Sequence, residues 1–387
     1  MREIEVIRET RRLLQAHGLL GQPILDLYTD AHPSLIGDPS LEPFQRFTLQ
    51  FDAFATHPDL VGRLADGSTM FAVEAKGEAD WLKGLAQAET YRYGFHAVLM
   101  AVAGTPSPDL LTFARQRGVG ILALPTATRQ LLEPPVLHLP LLKHAEHIRR
   151  QFSTGSALRT QFSYNLPTHY LACAACLYAW EREAGLAPVE LAQLEAMVRQ
   201  HYPVMPRLFK PALHGAEKLG LLVIQGRAIS LSPLGRTCAS LLPPAAQLAT
   251  LHRAAIKRQP LVDLDPRTAA VLRILLLRDP IAGFLNEILT QIGPHQPVPM
   301  PVLVETAARF DKLLTPLVFF FPGDVATLLD DQGFLVWRKI QPQHYRTSIY
   351  MQYKQIMTHA GMLHYHGVGG TSSQHYQPER DLWEVRI

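Results

Sequence analysis

The sequence predicts two architectures in one chain: an α/β front domain, with a mixed sheet flanked by helices, and a mainly α back half. Three observations carry this. Apolar residues alternate with period two on either side of an Asp-Gly turn at Ala65–Ser68. Two further runs, Ala97 to Val102 and Val119 to Leu124, are continuously apolar, as strands buried on both faces are. Beyond residue 150 the spacing is largely helical with short hairpins.

In chain order, residues 2–16 read as an amphipathic helix and 17–44 as a loop-rich stretch punctuated by Pro and Gly. Phe47 to Ala55 and Asp59 to Leu64 read as strands, and Thr69 to Lys76 as a third. Asp80 to Tyr93 has helical spacing, with Trp81, Leu82, Leu85 and Ala88 on the apolar side. The strand Ala97 to Val102 follows, then a helix to Arg117 capped by Ser107, then the strand Val119 to Leu124. Helix, hairpin, strand, helix, strand, helix, strand implies helices on both faces of the sheet. Residues 125–150 hold a Pro-Pro step and a basic helix and read as a linker. The expected division is 1–140, 141–242 and 243–387.

A chain of 387 residues, 47% hydrophobic, can bury more than one sizeable core. Its longest apolar run, Tyr170 to Trp180, has eleven residues, against the roughly 18–20 a membrane span needs. The N-terminal MREIEVIRETRRLL has no apolar secretory core. Three cysteines make no disulfide framework. The expectation is a cytoplasmic protein with no membrane partner. Charge is uneven: residues 1–140 carry 12 Lys and Arg against 16 Asp and Glu, and residues 141–387 carry 25 against 18. An acidic front and a basic back suit a metal site followed by a polyanion-binding region, though drift between domains gives the same numbers.

The chemistry is concentrated in His57-Pro58-Asp59 and Val73-Glu74-Ala75-Lys76-Gly77. Strand alternation places Glu74 and Lys76 on one face, and the hairpin makes the Asp59 strand their neighbour. Two carboxylates and an ammonium at the end of an apolar strand are costly as core. They make sense around Mg²⁺ or Mn²⁺, which favour hard oxygen ligands. Such a metal polarises a phosphoryl oxygen and helps ionise a water, which Lys76 would orient or deprotonate. The plain alternative is a salt bridge between Glu74 and Lys76 on an edge strand. Asp52, one strand earlier, competes with Asp59 as a ligand.

This arrangement resembles the PD-(D/E)xK nuclease superfamily, with its restriction-endonuclease-like fold, over roughly residues 40–125. Pro58-Asp59 matches the "PD" and Glu74-Ala75-Lys76 the "ExK". The resemblance implies Asp59 and Glu74 as metal ligands, with the backbone carbonyl of Ala75. It implies catalytic roles for Asp59, Glu74 and Lys76. Some branches carry a Gln-x3-Tyr pair on the next helix, which Gln87 and Tyr91 match; Lys83, Gln87 and Tyr91 form one stripe. The implied role is holding the lysine or the DNA backbone. Many members also bring a Glu from the first helix; Glu3, Glu5 and Glu9 are all available.

In the back half, residues 206–232 read as a helix ending near Gly220 and a hairpin turning at Gln225-Gly226-Arg227. This looks like a winged helix-turn-helix. Leu208, Ala212, Ala216 and Leu219 would face the core, and Arg207, Lys210, His214, Lys218 and Arg227 would meet DNA. The pattern recurs. His344 to His359 is helical, with Ile349, Tyr353, Ile356 and Met357 inward and Arg346, Tyr350 and Lys354 outward to DNA. Met362–Gly370 and Leu382–Arg386 follow as wing strands around a polar loop. Such domains also serve as protein interfaces. Cys173 and Cys176, with His169, lack a fourth zinc ligand and read as core.

The sequence reading is a Mg²⁺- or Mn²⁺-dependent endonuclease hydrolysing phosphodiester bonds of double-stranded DNA, with RNA and single-stranded DNA left open as substrates. Such domain pairings look like prokaryotic restriction, CRISPR-associated or mobile-element defence proteins, acting as a homodimer or as a subunit of a defence complex. Transposon and repair nucleases of the same fold, and a non-catalytic DNA-binding or assembly protein, are the alternatives.

Overall fold

The computed structural model describes residues 1–124, 130–159, 162–255, 259–370 and 375–386. The chain forms two compact units, one of 1–152 with 312–340 and one of 153–311 with 341–387. This division cuts across the one expected from composition. The segment 141–152 joins the front unit, and a piece of the back half returns to it.

The first unit opens with α1 (Glu3–His17), whose apolar stripe Val6, Ile7, Leu13 and Leu14 is buried. Next come β1 (Ile24–Thr29), the dyads β2 (Leu49–Gln50) and β3 (Ala55–Thr56), and the hairpin β4 (Leu60–Leu64) and β5 (Met70–Lys76). There follow α2 (Trp81–Tyr91), β6 (Ala97–Ala103), α3 (Pro108–Arg117), β7 (Gly120–Leu124), β8 (Gln130–Glu133) and α4 (Leu142–Arg159). Ser107 caps α3, accepting the Leu110 N–H at 3.2 Å. The six-stranded sheet runs β1-β4-β5-β6-β7-β8. β5–β6 and β6–β7 are parallel and the other pairs antiparallel. Alternation divides the side chains into two cores. One holds Tyr28, Val61, Ala72 and Met100 with Leu85 and Ala88 of α2. The other holds Leu27, Leu60, Val73 and Leu99 with the stripe of α1. A mixed sheet with helices on both faces is therefore present.

Two expectations about strands change. β1 lies in the stretch read as loop; Leu27 and Tyr28 are buried on opposite faces, so the strand shows no alternation. Phe47 to Ala55 is not one strand, because the chain reverses at Asp52–Ala53, where Phe51 N–H bonds Phe54 O at 2.9 Å. On α2, Leu82 is exposed rather than core. Residues 125–129 of the expected linker lie outside the described residues.

The second unit contains α5 (Thr168–Ala184), β9 (Val189–Glu190), α6 (Leu191–His201), α7 (Lys210–Lys218), β10 (Leu222–Gln225) and β11 (Ala228–Leu231). α8 (Pro233–Ala239), α9 (Ala245–Ala255), α10 (Leu261–Leu264) and α11 (Pro266–Leu276) lead to α12 (Pro280–Ile292), β12 (Val298–Pro299) and α13 (Met300–Phe310). α14 (Leu314–Phe319) and α15 (Pro322–Leu328) then belong to the first unit. The second unit resumes with a π-helical turn at Ile349–Tyr353, α16 (Lys354–His359), β13 (Leu363–Tyr365) and β14 (Leu382–Val385). Residues 371–374 of the expected polar loop lie outside the described residues. Two three-stranded sheets result, β10-β11-β9 and β12-β14-β13, each antiparallel with its last strand in the middle. Among the described residues no helix is long and apolar enough to cross a membrane.

Gly62 of β4 shows how tightly the sheet is packed. A Cβ there would lie 2.3 Å from the Phe71 ring and 2.7 Å from the Asp26 carbonyl oxygen, which is backbone and cannot swing away. Gly62→Ala is expected to cost about 1–3 kcal/mol by overpacking, read as a lower denaturant midpoint. An unchanged midpoint would mean that the sheet yields here.

Candidate active site

The β4–β5 register pairs Leu60 with Val73, so Asp59, one residue before β4, falls opposite Glu74. The Asp59 carboxylate accepts the Ala75 N–H at 2.7 Å. Glu74 is only 3% exposed. Its Oε1 is 2.6 Å from the Lys76 ammonium, and its Oε2 accepts the Tyr91 hydroxyl at 2.5 Å. The same hydroxyl is 3.2 Å from the His57 carbonyl oxygen. Lys76 also lies 3.9 Å from Glu3 of α1. Of the three glutamates on α1, Glu5 is bonded to Arg2 and Glu9 to Arg12, which leaves Glu3 as the one at the site.

The site has a member that the sequence reading missed. Asp30 follows β1, is buried, and donates its N–H to the Asp59 carbonyl at 2.9 Å. Arg46 pairs with its carboxylate at 3.1 Å. Residues opposed across a sheet share a face, so Asp30, Asp59 and Glu74 form a row across three adjacent strands. The signal was available in Ile24-Leu25-Asp26-Leu27-Tyr28-Thr29-Asp30, had its run been read as a strand ending in a carboxylate.

The electrostatics reflect an excess of carboxylates. Burial raises the Asp59 pKa well above the ordinary carboxyl range, and Glu74 and Glu3 raise it further. Burial also raises Glu74, against the pull of Lys76 and Tyr91. Asp30 goes up to about 6, by burial first; Arg46 opposes the shift and Glu74 adds to it. For Lys76, burial disfavours the ammonium, but Glu74, Glu3 and Asp59 outweigh it and hold its pKa above the usual value. His57 is driven down to about 3 by burial and then by Arg46, so its ring is neutral.

Three buried carboxylates (Asp30, Asp59 and Glu74), with the exposed Glu3 beside them, therefore face two cations, Lys76 and Arg46. Carboxylates buried in excess of cations take up either protons or a cation. Among the described residues, no three His, Cys, Asp or Glu side chains converge to hold a metal by themselves. A Mg²⁺ site commonly needs only one or two carboxylates, because the ion keeps several waters. Asp59 and Glu74 fit that donor set. The Ala75 group bonded to Asp59 is its N–H.

Asp52 is exposed at the turn between β2 and β3. Gln87 is partly buried, with its Oε1 unbonded among the described residues, and Lys83 is exposed.

In the second unit Arg207, Lys210, His214 and Arg227, four of the residues expected to meet DNA, are exposed. Lys218, Arg346, Tyr350 and Lys354 are not. Lys218 is buried, 3.2 Å from Asp279 and bonded to the Ala157 carbonyl. Lys354 is buried against Asp381 at 2.5 Å. Tyr350 stacks on Tyr376 with ring centroids 3.7 Å apart, and Arg346 is 5% exposed. Helical periodicity cannot separate a solvated cation from one whose partner lies elsewhere in sequence. Leu208, expected in the core, is exposed. Cys173 and Cys176 are buried free thiols.

No protein-family model, curated protein or solved structure matches this chain.

A carboxyl whose pKa is raised by folding weakens the fold above that raised value. The penalty fades as pH falls through it and is gone below the ordinary value near 3.8. Asp59→Asn keeps an acceptor for the Ala75 N–H and removes the charge. In chelator it is expected to melt at a higher temperature than wild type at pH 8, and the gain should shrink at pH 5. Equal gains at the two pH values, or a loss at pH 8, would mean that Asp59 is not under electrostatic strain.

Proposed function

We propose that the chain is a divalent-cation-dependent nuclease acting on DNA, with a restriction-endonuclease-like first unit and winged-helix-like modules in the second. The observation that carries the reading is the buried Glu74, opposite Asp59 and bonded at once by Lys76 and Tyr91. Asp59 and Glu74 would hold Mg²⁺ or Mn²⁺, with Glu3 beside them. The bound ion supplies Lewis-acid polarisation of the phosphoryl oxygen and a lower pKa for its water.

The chain's own residues do the rest. Tyr91, anchored between Glu74 and the His57 carbonyl, fixes the Glu74 carboxylate, so the ligand is preorganised. Lys76 stays an ammonium among three carboxylates. In that form it hydrogen-bonds and orients a water or a phosphate oxygen, rather than serving as the base. In the second unit the exposed Arg207, Lys210, His214 and Arg227, at α7 and the β10–β11 turn, supply phosphate contacts.

Cleavage of supercoiled, linear and single-stranded DNA with Mg²⁺ tests the chemistry. Chelator, Asp59→Ala and Glu74→Ala should each abolish cutting. Lys76→Ala should lose about 10²- to 10³-fold while still binding Ca²⁺ or Mn²⁺. Near-wild-type cutting by folded Glu74→Ala or Lys76→Ala protein would place the chemistry elsewhere.

The binding surface has its own contrast. Arg207→Ala and Lys210→Ala should each reduce the salt slope of duplex binding by about one without affecting stability. Lys218→Ala leaves Asp279 unpaired and should instead destabilise the fold by about 3–5 kcal/mol. Unchanged salt slopes in the first two variants would remove α7 from the DNA surface.

A further inference from the structure

α16 buries its lysine and lines a cavity with uncharged side chains. Gln355, Thr358 and His359 are three and four residues apart and share one side of the helix. That side opens onto a cavity of about 290 Å³, also lined by Asn165, Gln259 and Tyr365. His359 Nδ1 accepts the Leu261 N–H at 3.1 Å, which leaves the ring proton on Nε2. Burial, with His252, lowers its pKa to about 4, so the imidazole is neutral at pH 7.

None of the described lining residues therefore carries a charge at neutral pH. Among the described lining residues, a phosphate, carboxylate or ammonium finds hydrogen-bonding groups but no counter-charge. Three carboxamides offer paired donors and acceptors, and Tyr365, 44% exposed, offers an aromatic face. A flat, uncharged ring edged with amide-like groups uses all of these. At about 300 Å³ the cavity stands at the small end of ligand pockets, which suits one ring system.

We propose that this cavity receives a single nucleobase, stacked on Tyr365 and read at its edge by the Asn165, Gln259 and Gln355 carboxamides. The base comes either from a nucleotide turned out of a nucleic-acid strand or from a free nucleoside; the recognition chemistry is the same. The proposal does not rest on the cation site, so it is tested where nothing is cut.

The experiment uses the full chain in chelator. The first probe is a DNA duplex with one looped-out 2-aminopurine, compared with the same duplex fully paired, and affinities are read by anisotropy. The second is the set of four free nucleosides, read by saturation-transfer NMR. The looped-out duplex should bind about tenfold tighter than the paired one, the order of one base–aromatic stack. Gln355→Ala and Tyr365→Ala, both at partly exposed positions, should abolish that preference and leave paired-duplex binding unchanged. A nucleoside signal that disappears in the same variants supports the proposal with a free ligand as the source. Equal affinity for the two duplexes with no nucleoside signal overturns it. So does a preference that persists in both folded variants.

Discussion

The antiparallel register of β4 on β5 decides what stands at the end of the sheet. With Leu60 opposite Val73, the next pair outward is Asp59 against Glu74. β1 extends the row, since Thr29 pairs with Leu60 and Asp30 bonds the Asp59 backbone. A slip of one residue would turn Glu74 toward α1 and place Ala75 on the α2 side. Such a slip is excluded from both faces. Val61 and Ala72 are committed to one core, Leu60 and Val73 to the other. The packing of the apolar side chains on both faces thus aligns three carboxylates that would otherwise repel one another.

Buried charge elsewhere in the chain is arranged differently. Lys218 meets Asp279, and Lys354 meets Asp381, whose carboxylate also accepts from Tyr376 and Trp383. Each is a one-to-one pair whose lysine also donates to a backbone carbonyl and whose carboxylate accepts further hydrogen bonds, as structural ion pairs need. The row at the sheet end has more carboxylates than cations. Its strain appears in the raised pKa values of Asp30, Asp59 and Glu74, while Asp38 and Asp66 are lowered to about 2, Asp38 by Ser40 and its partner Arg8 and Asp66 by hydrogen bonds from Thr69 and Ser68. That contrast separates a row with carboxylate in excess from a joint that holds elements together.

The hairpin, α2, α3 and the two parallel strands were legible because each carries its own periodicity or cap. So was the juxtaposition of Asp59, Glu74 and Lys76, because a hairpin turn makes sequence neighbours into spatial ones. β1 was hidden by burial on both faces, and with it Asp30. The roles of Lys218 and Lys354 were hidden for another reason. Asp279 lies 61 residues beyond Lys218, and Asp381 lies 27 beyond Lys354. No local pattern records such a partner. The return of 312–340 to the first unit is the same kind of fact on a larger scale.

The second unit repeats one plan with different surfaces. α5-β9-α6-α7-β10-β11 and α12-β12-α13-α16-β13-β14 have the same order of helices and strands and the same sheet topology. In the first copy the last helix keeps Lys210 and His214 in solvent and commits only Lys218 to the interior. In the second the interior takes Arg346, Tyr350 and Lys354, and the carboxamide, hydroxyl and imidazole groups of Gln355, Thr358 and His359 line a cavity. A cationic face attracts any polyanion and discriminates little, because its energy is mostly counterion release. A neutral face of donors and acceptors attracts weakly and discriminates by geometry. The same order of elements therefore carries exposed cations in one case and an uncharged cavity lining in the other.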